Sequence, residues 1–77
     1  MSDIENITKS IGMTIRIRRK QLGMTQLDLA EIAGLQRQTI GRVENGNEAV
    51  TVATVARVAA AVGLDLMVMP RYADGRS

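Results

Sequence analysis

Apolar and polar positions alternate along the chain with a helical period four times and with a strand period once. Ile7, Ile11, Ile15 and Leu22 recur at helical spacing, with Arg16, Arg18, Arg19 and Lys20 on other faces, and predict a first helix over about Thr8 to Leu22. Gly12 within it costs about 1 kcal/mol relative to Ala, and Gly23 provides a stop. Thr25 then offers an N-cap hydroxyl, Asp28 completes a capping-box pair, and Met24 and Leu29 occupy the staple positions. A second helix over Gln26 to Ala33 follows and ends at Gly34. After Leu35 a third pattern begins, with Ile40 and Val43 inward, and it ends at Asn45 and Gly46. Thr51 caps a fourth helix whose stripe is Val52, Val55, Val58, Ala59 and Val62, closed by Gly63. The run Leu64 to Met69 reads as a short strand with Leu64, Leu66 and Val68 on one face and Met67 between them, terminated by Pro70. The expected organisation is an N-terminal arm over residues 1–7, one domain over 8–69 and a flexible tail over 70–77.

A chain of 77 residues buries only about 60% of its unfolded surface, so its core is thin. Small domains are commonly reinforced by disulfides, metal sites or oligomerisation, and the absence of Cys and His leaves the third. No cofactor is expected. No basic segment followed by an apolar run suggests a secretory signal, and no apolar stretch approaches the roughly 20 residues that span a bilayer. The expectation is a cytoplasmic chain that does not engage membranes. Net charge is only +2, but its distribution is uneven. Lys9, Arg16, Arg18, Arg19, Lys20, Arg37 and Arg42 share the stretch from 9 to 42 with only Asp28 and Glu31 as acids, so positive potential gathers on the first half.

Two short helices joined by a tight Gly-containing turn are the unit that lays its second helix in the DNA major groove. Here the unit is Gln26 to Asn45, with Leu29, Ala33, Leu35, Ile40 and Val43 inward and Ala30 small at the helix crossing. Facing solvent are Gln36, Arg37, Gln38, Gly41 and Arg42. Gln and Arg read adenine and guanine edges bidentately, which assigns base readout to Gln36, Arg37, Gln38 and Arg42. Arg16, Arg18 and Lys20 are either solubilising charge or phosphate-steering cations.

The run Met24 to Ala30, then Gly34, Thr39, Ile40 and Val43 to Gly46, resembles the phage-repressor-like (XRE, lambda-repressor-like) helix-turn-helix. Thr51 to Met69, a capped helix followed by a short apolar strand, resembles the C-terminal half of HipB-type antitoxins. These resemblances imply an all-α, lambda-repressor-like bundle of four to five helices with one C-terminal β-strand pairing across a homodimer. They further imply a repressor of its own operon that binds double-stranded DNA at a palindromic operator and a HipA-type Ser/Thr kinase toxin. By the same resemblance Gln26, Thr39 and Asn45 contact phosphates, Thr25 is either a plain N-cap or a DNA contact, and Arg19 and Glu44 form an internal ion pair. Contacts to phosphate set register without reading sequence.

An enzyme is not expected: the sequence lacks His, Cys, a glycine-rich phosphate loop and paired carboxylates at metal-ligand spacing. No catalytic or metal-ligating residue is assigned. The alternatives to an antitoxin are a free-standing phage or plasmid repressor and, from another class, a protein-interaction module without DNA binding. The strand at Leu64 to Met69 needs a partner for its backbone, and a second copy of the same strand is the one expected; the alternative is a C-terminal extension over its own core, paired with Ser2 to Ile7.

Overall fold

The computed structural model describes residues 3–70. Among them are four helices and no strand: α1 (Asp3–Gln21), α2 (Gln26–Ala33), α3 (Arg37–Glu44) and α4 (Val52–Ala61). Helix α1 begins well before the predicted Thr8. Asp3 and Glu5 lie in its first turn and Arg18, Arg19 and Lys20 in its last, each sign suiting its end of the helix dipole. Lys9 adds an ion pair to Glu5 one turn back at 3.2 Å. Ile7, expected inward, is 56% exposed, which is why apolar periodicity alone places the helix start too late.

The capping box at α2 forms as expected. Thr25 Oγ1 accepts from the Asp28 backbone N–H at 3.0 Å, and Asp28 Oδ2 accepts from the Thr25 N–H at 2.9 Å. The Thr25 N–H bond, with the Thr25 side chain next, holds the Asp28 carboxyl below the usual aspartate range. At the other end Gly34 sits at φ 72°, the left-handed conformation that lets the Leu35 N–H reach the Ala30 carbonyl at 2.9 Å and turn the chain into α3. Thr51 Oγ1 caps α4 by accepting from the Thr54 N–H.

Ile15, Leu29, Ile40, Val58 and Val62 are fully buried, with Ala30, Val43 and Ala59 between them. All four helices thus contribute to one core, which fixes α3 by its inner side. The expected strand at Leu64 to Met69 is absent in the single chain, because a ladder needs a second strand and no other described segment provides one. Instead the Leu64 N–H returns to the Ala59 carbonyl at 2.9 Å, Leu66 is half-buried, and Val68 is 98% exposed. The expected tail, beyond Pro70, and the first two residues of the expected arm lie outside the described residues. No described helix is long and apolar enough to cross a membrane.

Candidate nucleic-acid interface

Helix α3 presents two chemically distinct sides. Ile40, Val43 and Glu44 are buried, while Gln36, Arg37, Gln38 and Arg42 are exposed together on the other side. Gln36 is the N-cap residue but makes no side-chain cap bond, so its amide remains available. Gln36, Gln38 and Arg42 make no side-chain hydrogen bond or ion pair among the described residues.

The inner side carries a buried ion pair. Arg19 from α1 meets Glu44 from α3 in a bidentate fork, Nε to Oε2 at 2.6 Å and Nη2 to Oε1 at 3.0 Å. Arg19 Nη1 also donates to the Met24 carbonyl at 2.8 Å, so one guanidinium ties α1, the turn before α2 and the end of α3. The hydrogen bond to Glu44 raises the guanidinium pKa above its ordinary value; burial opposes this and the Glu44 charge adds to it. From the ion pair a polar chain runs outward. Gln26 Nε2 donates to Glu44 Oε1 at 3.1 Å, and Gln26 Oε1 accepts from Arg37 Nη1 at 3.3 Å. A buried carboxylate thereby orients the Gln26 amide, which in turn holds the first residue of α3. The expected Arg19–Glu44 pair is present, and it continues outward through Gln26, a link that residue spacing does not reveal.

The residues expected to contact phosphate separate into distinct places. Thr25 is engaged in its cap. Thr39 and Arg42 line an open groove with Asn47, Val50, Thr51 and Thr54, alongside α3. Arg16, Lys20 and Asn45 line another, with Lys9, Met13 and Ile17, where α1 passes the end of α3. Arg18 does not join them. It is half-buried and its Nε donates to the Val62 carbonyl at 3.1 Å, so its charge is placed at the C-terminal end of α4, where free carbonyls accept a cation. Spacing alone could not separate Arg18 from Arg16 and Lys20, since all three lie within five residues on one helix.

Two glycines set how closely these parts approach. A Cβ on Gly12 would stand 2.6 Å from the Glu44 carbonyl oxygen and closer still to that of Val43; one on Gly46 would stand 2.7 Å from the Lys9 Cα. Helix α1 therefore packs backbone against backbone on the end of α3. A glycine inside a helical pattern with no local reason is a signal of such a crossing.

The helix-turn-helix family profile matches residues 15–68. The chain belongs to this family, of XRE type. Among its relatives, the "ImmF control region 10 kDa protein" of Bacillus phage phi105 is 31% identical over 61 residues, covering 79% of this chain and 68% of the relative. A protein of Methanothermobacter thermautotrophicus named an uncharacterized HTH-type transcriptional regulator is 45% identical over 49 residues, covering 64% of this chain and 71% of the relative. As a member of the family the chain is a DNA-binding transcription regulator. In this helix-turn-helix α2 is the first helix of the motif and α3 the second.

Proposed function

We propose that the chain is a homodimeric transcriptional repressor that reads a palindromic operator with the exposed side of α3. One observation carries the reading: Gln36, Arg37, Gln38 and Arg42 stand together on the outer side of a helix whose inner side is pinned by Ile40, Val43 and the Arg19–Glu44 pair. Rigid support under side chains that match base edges is what direct readout requires. Thr39 beside Arg42, and Arg16, Lys20 and Asn45 in the neighbouring groove, supply phosphate contacts on either side, with Gln26 bridging the two helices.

Dimerisation is proposed through the segment Leu64 to Met69. Leu66 edges an apolar cleft of about 180 Å³ with Ile7, Ile11, Val43, Val50, Val52 and Val55, and Met67, Val68 and Met69 stand exposed just beyond it. Pairing of two such segments about a two-fold axis supplies the missing ladder and covers these side chains, each worth roughly 1.5–3 kcal/mol when buried. Recognition helices of the dimer then fall about one DNA turn apart, roughly 34–36 Å.

Of the finer readings, the free-standing repressor draws support from the relative named for a phage control region. The antitoxin reading, with a HipA-type kinase partner, rests on the resemblance of Thr51 to Met69 alone. Recovery of a kinase-like protein with the tagged chain from its native host would favour the antitoxin; recovery of the dimer alone favours the free-standing repressor.

The test of DNA reading is selection of a preferred site from random duplexes, followed by titration with variants. Arg37→Ala and Arg42→Ala are expected to lose preference at single base pairs, each worth about 1–3 kcal/mol. Lys20→Ala is expected to weaken binding to all sequences and to reduce the salt slope by about one. Equal losses on the selected site and on random DNA for all three variants defeat the assignment.

A further inference from the structure

Among the described residues two glycines lie inside helices, and only one has a packing reason. Gly12 is required by the carbonyls of Val43 and Glu44. Gly41 has no such neighbour: a Cβ built there meets nothing within 4 Å. Nor does its backbone call for glycine, since it is absent from the residues of positive φ and its carbonyl accepts the Asn45 N–H at 3.0 Å in ordinary helical fashion. An alanine therefore fits the free protein. Yet glycine is the least favourable interior residue after proline, and α3 has only eight residues in which to absorb the cost.

What glycine provides here is the lack of a side chain at one place on the reading side. Position 41 lies one turn after Arg37, three residues after Gln38 and beside Arg42, so three long polar side chains surround bare backbone. A major groove laid against this side meets a notch at its middle. The atom group that projects furthest from a base-pair edge there, and that offers no hydrogen bond for a polar side chain to answer, is the C5-methyl of thymine.

We propose that Gly41 is a specificity-determining position of α3, at which a thymine methyl of each half-site seats against the bare helix backbone. This rests on the reading of α3 as the recognition helix. The consequence is a pair of opposite signs. Gly41→Ala fills a space that is open in the free protein and occupied in the complex, so it stabilises the one and weakens the other.

The experiment compares the full chain with Gly41→Ala, using the selected site, random duplex DNA, and versions of the selected site with deoxyuridine in place of each thymidine, which removes the methyl alone. Gly41→Ala is expected to raise Tm by roughly 4–8 °C. It is expected to bind the selected site about tenfold more weakly and random DNA unchanged. At one thymine per half-site, deoxyuridine weakens the wild type and restores part of the affinity of Gly41→Ala. A Gly41→Ala chain that binds the selected site like the wild type, or that no deoxyuridine rescues, overturns this inference and leaves α3 as reader. A wild-type chain without any preferred site overturns both.

Discussion

The turn between α2 and α3 and the segment after α4 are of similar chemical simplicity, but the chain treats them differently. Around the turn the caps and the supporting side chains have local partners: the Thr25–Asp28 box opens α2, Gly34 closes it, and Arg19, Glu44 and Gln26 satisfy one another beneath α3. Among the described residues after Gly63 the backbone is held only at Leu64, and Val68 and both neighbouring methionines face solvent. The first region carries its structure within one chain; the second is apolar and exposed, and is the surface that the proposed dimer would cover. Where a site must be rigid before it meets its ligand, the local partners are built in.

The largest effect is expected from removing one partner of the buried pair. Glu44→Ala leaves the Arg19 guanidinium buried without a countercharge, a loss of about 3–5 kcal/mol from a domain whose whole stability is of the order of 5–15 kcal/mol. Thermal unfolding by circular dichroism reads it directly. The double replacement Arg19→Met with Glu44→Leu sharpens the test, because replacing both charges by apolar groups of similar volume is expected to be near neutral in stability. It also frees the Gln26 amide from its anchor. Recovered stability with reduced affinity for the selected site separates the pair's role in positioning Arg37 from its role in folding; full recovery of both shows that Gln26 needs no anchor.

Gly12→Ala comes next. Helix propensity favours the change, but the new Cβ meets two backbone carbonyls of α3 that cannot rotate away, so a net loss of about 1–3 kcal/mol is expected. The contrast with Gly41→Ala, the same substitution on a different helix with the opposite sign, tests whether packing and not propensity decides at position 12. A stabilised Gly12→Ala chain means that α1 and α3 stand further apart in solution than they do here.

Much of the motif was legible in the sequence because its determinants are local. Thr25, Asp28 and Gly34 act within four residues of where they stand, and the predicted α2 and its cap match the structure. The polar side of α3 follows from Ile40 and Val43 fixing the opposite side. What escaped depends on distance. Arg18 and Arg19 are adjacent in sequence, yet one ends at Val62 and the other at Glu44. Ile7 is apolar and correctly spaced but exposed, and Gly12 looked like a weakness until α3 was seen against it. The C-terminal strand, expected from an alternating pattern over Leu64 to Met69, does not form among the described residues.

The exposed segment gives a smaller and different signal. Val68→Asp alters a side chain that touches nothing in the single chain, so its intrinsic effect on stability is expected to stay within about 0.5 kcal/mol. Its effect is on association. Wild-type Tm is expected to rise with protein concentration, as it does when folding and dimerisation are linked, and the variant's Tm to be independent of it. Sedimentation of Val68→Asp as a dimer places the interface elsewhere.

The smallest effect lies at the start of α2 and is read by pH. The folded Asp28 carboxyl is held below the ordinary value of 3.8 by the Thr25 N–H and then by the Thr25 side chain. A carboxyl whose folded pKa is depressed contributes stability above its unfolded pKa and loses it as pH falls through the folded value. The capping box should therefore hold unchanged from neutral pH down to about 4 and open only below the ordinary aspartate range. Carboxyl-carbon NMR titration of Asp28 follows the proton, and the Thr25 amide resonance follows the box. Thr25→Ala keeps the backbone donor and removes the hydroxyl, so the Asp28 midpoint is expected to move only part of the way back up, with about 1 kcal/mol lost from the missing cap. If Asp28 of the wild-type chain titrates at its ordinary value, the box is open in solution, and the contrast between a self-sufficient turn and a dependent C-terminal segment loses its first half.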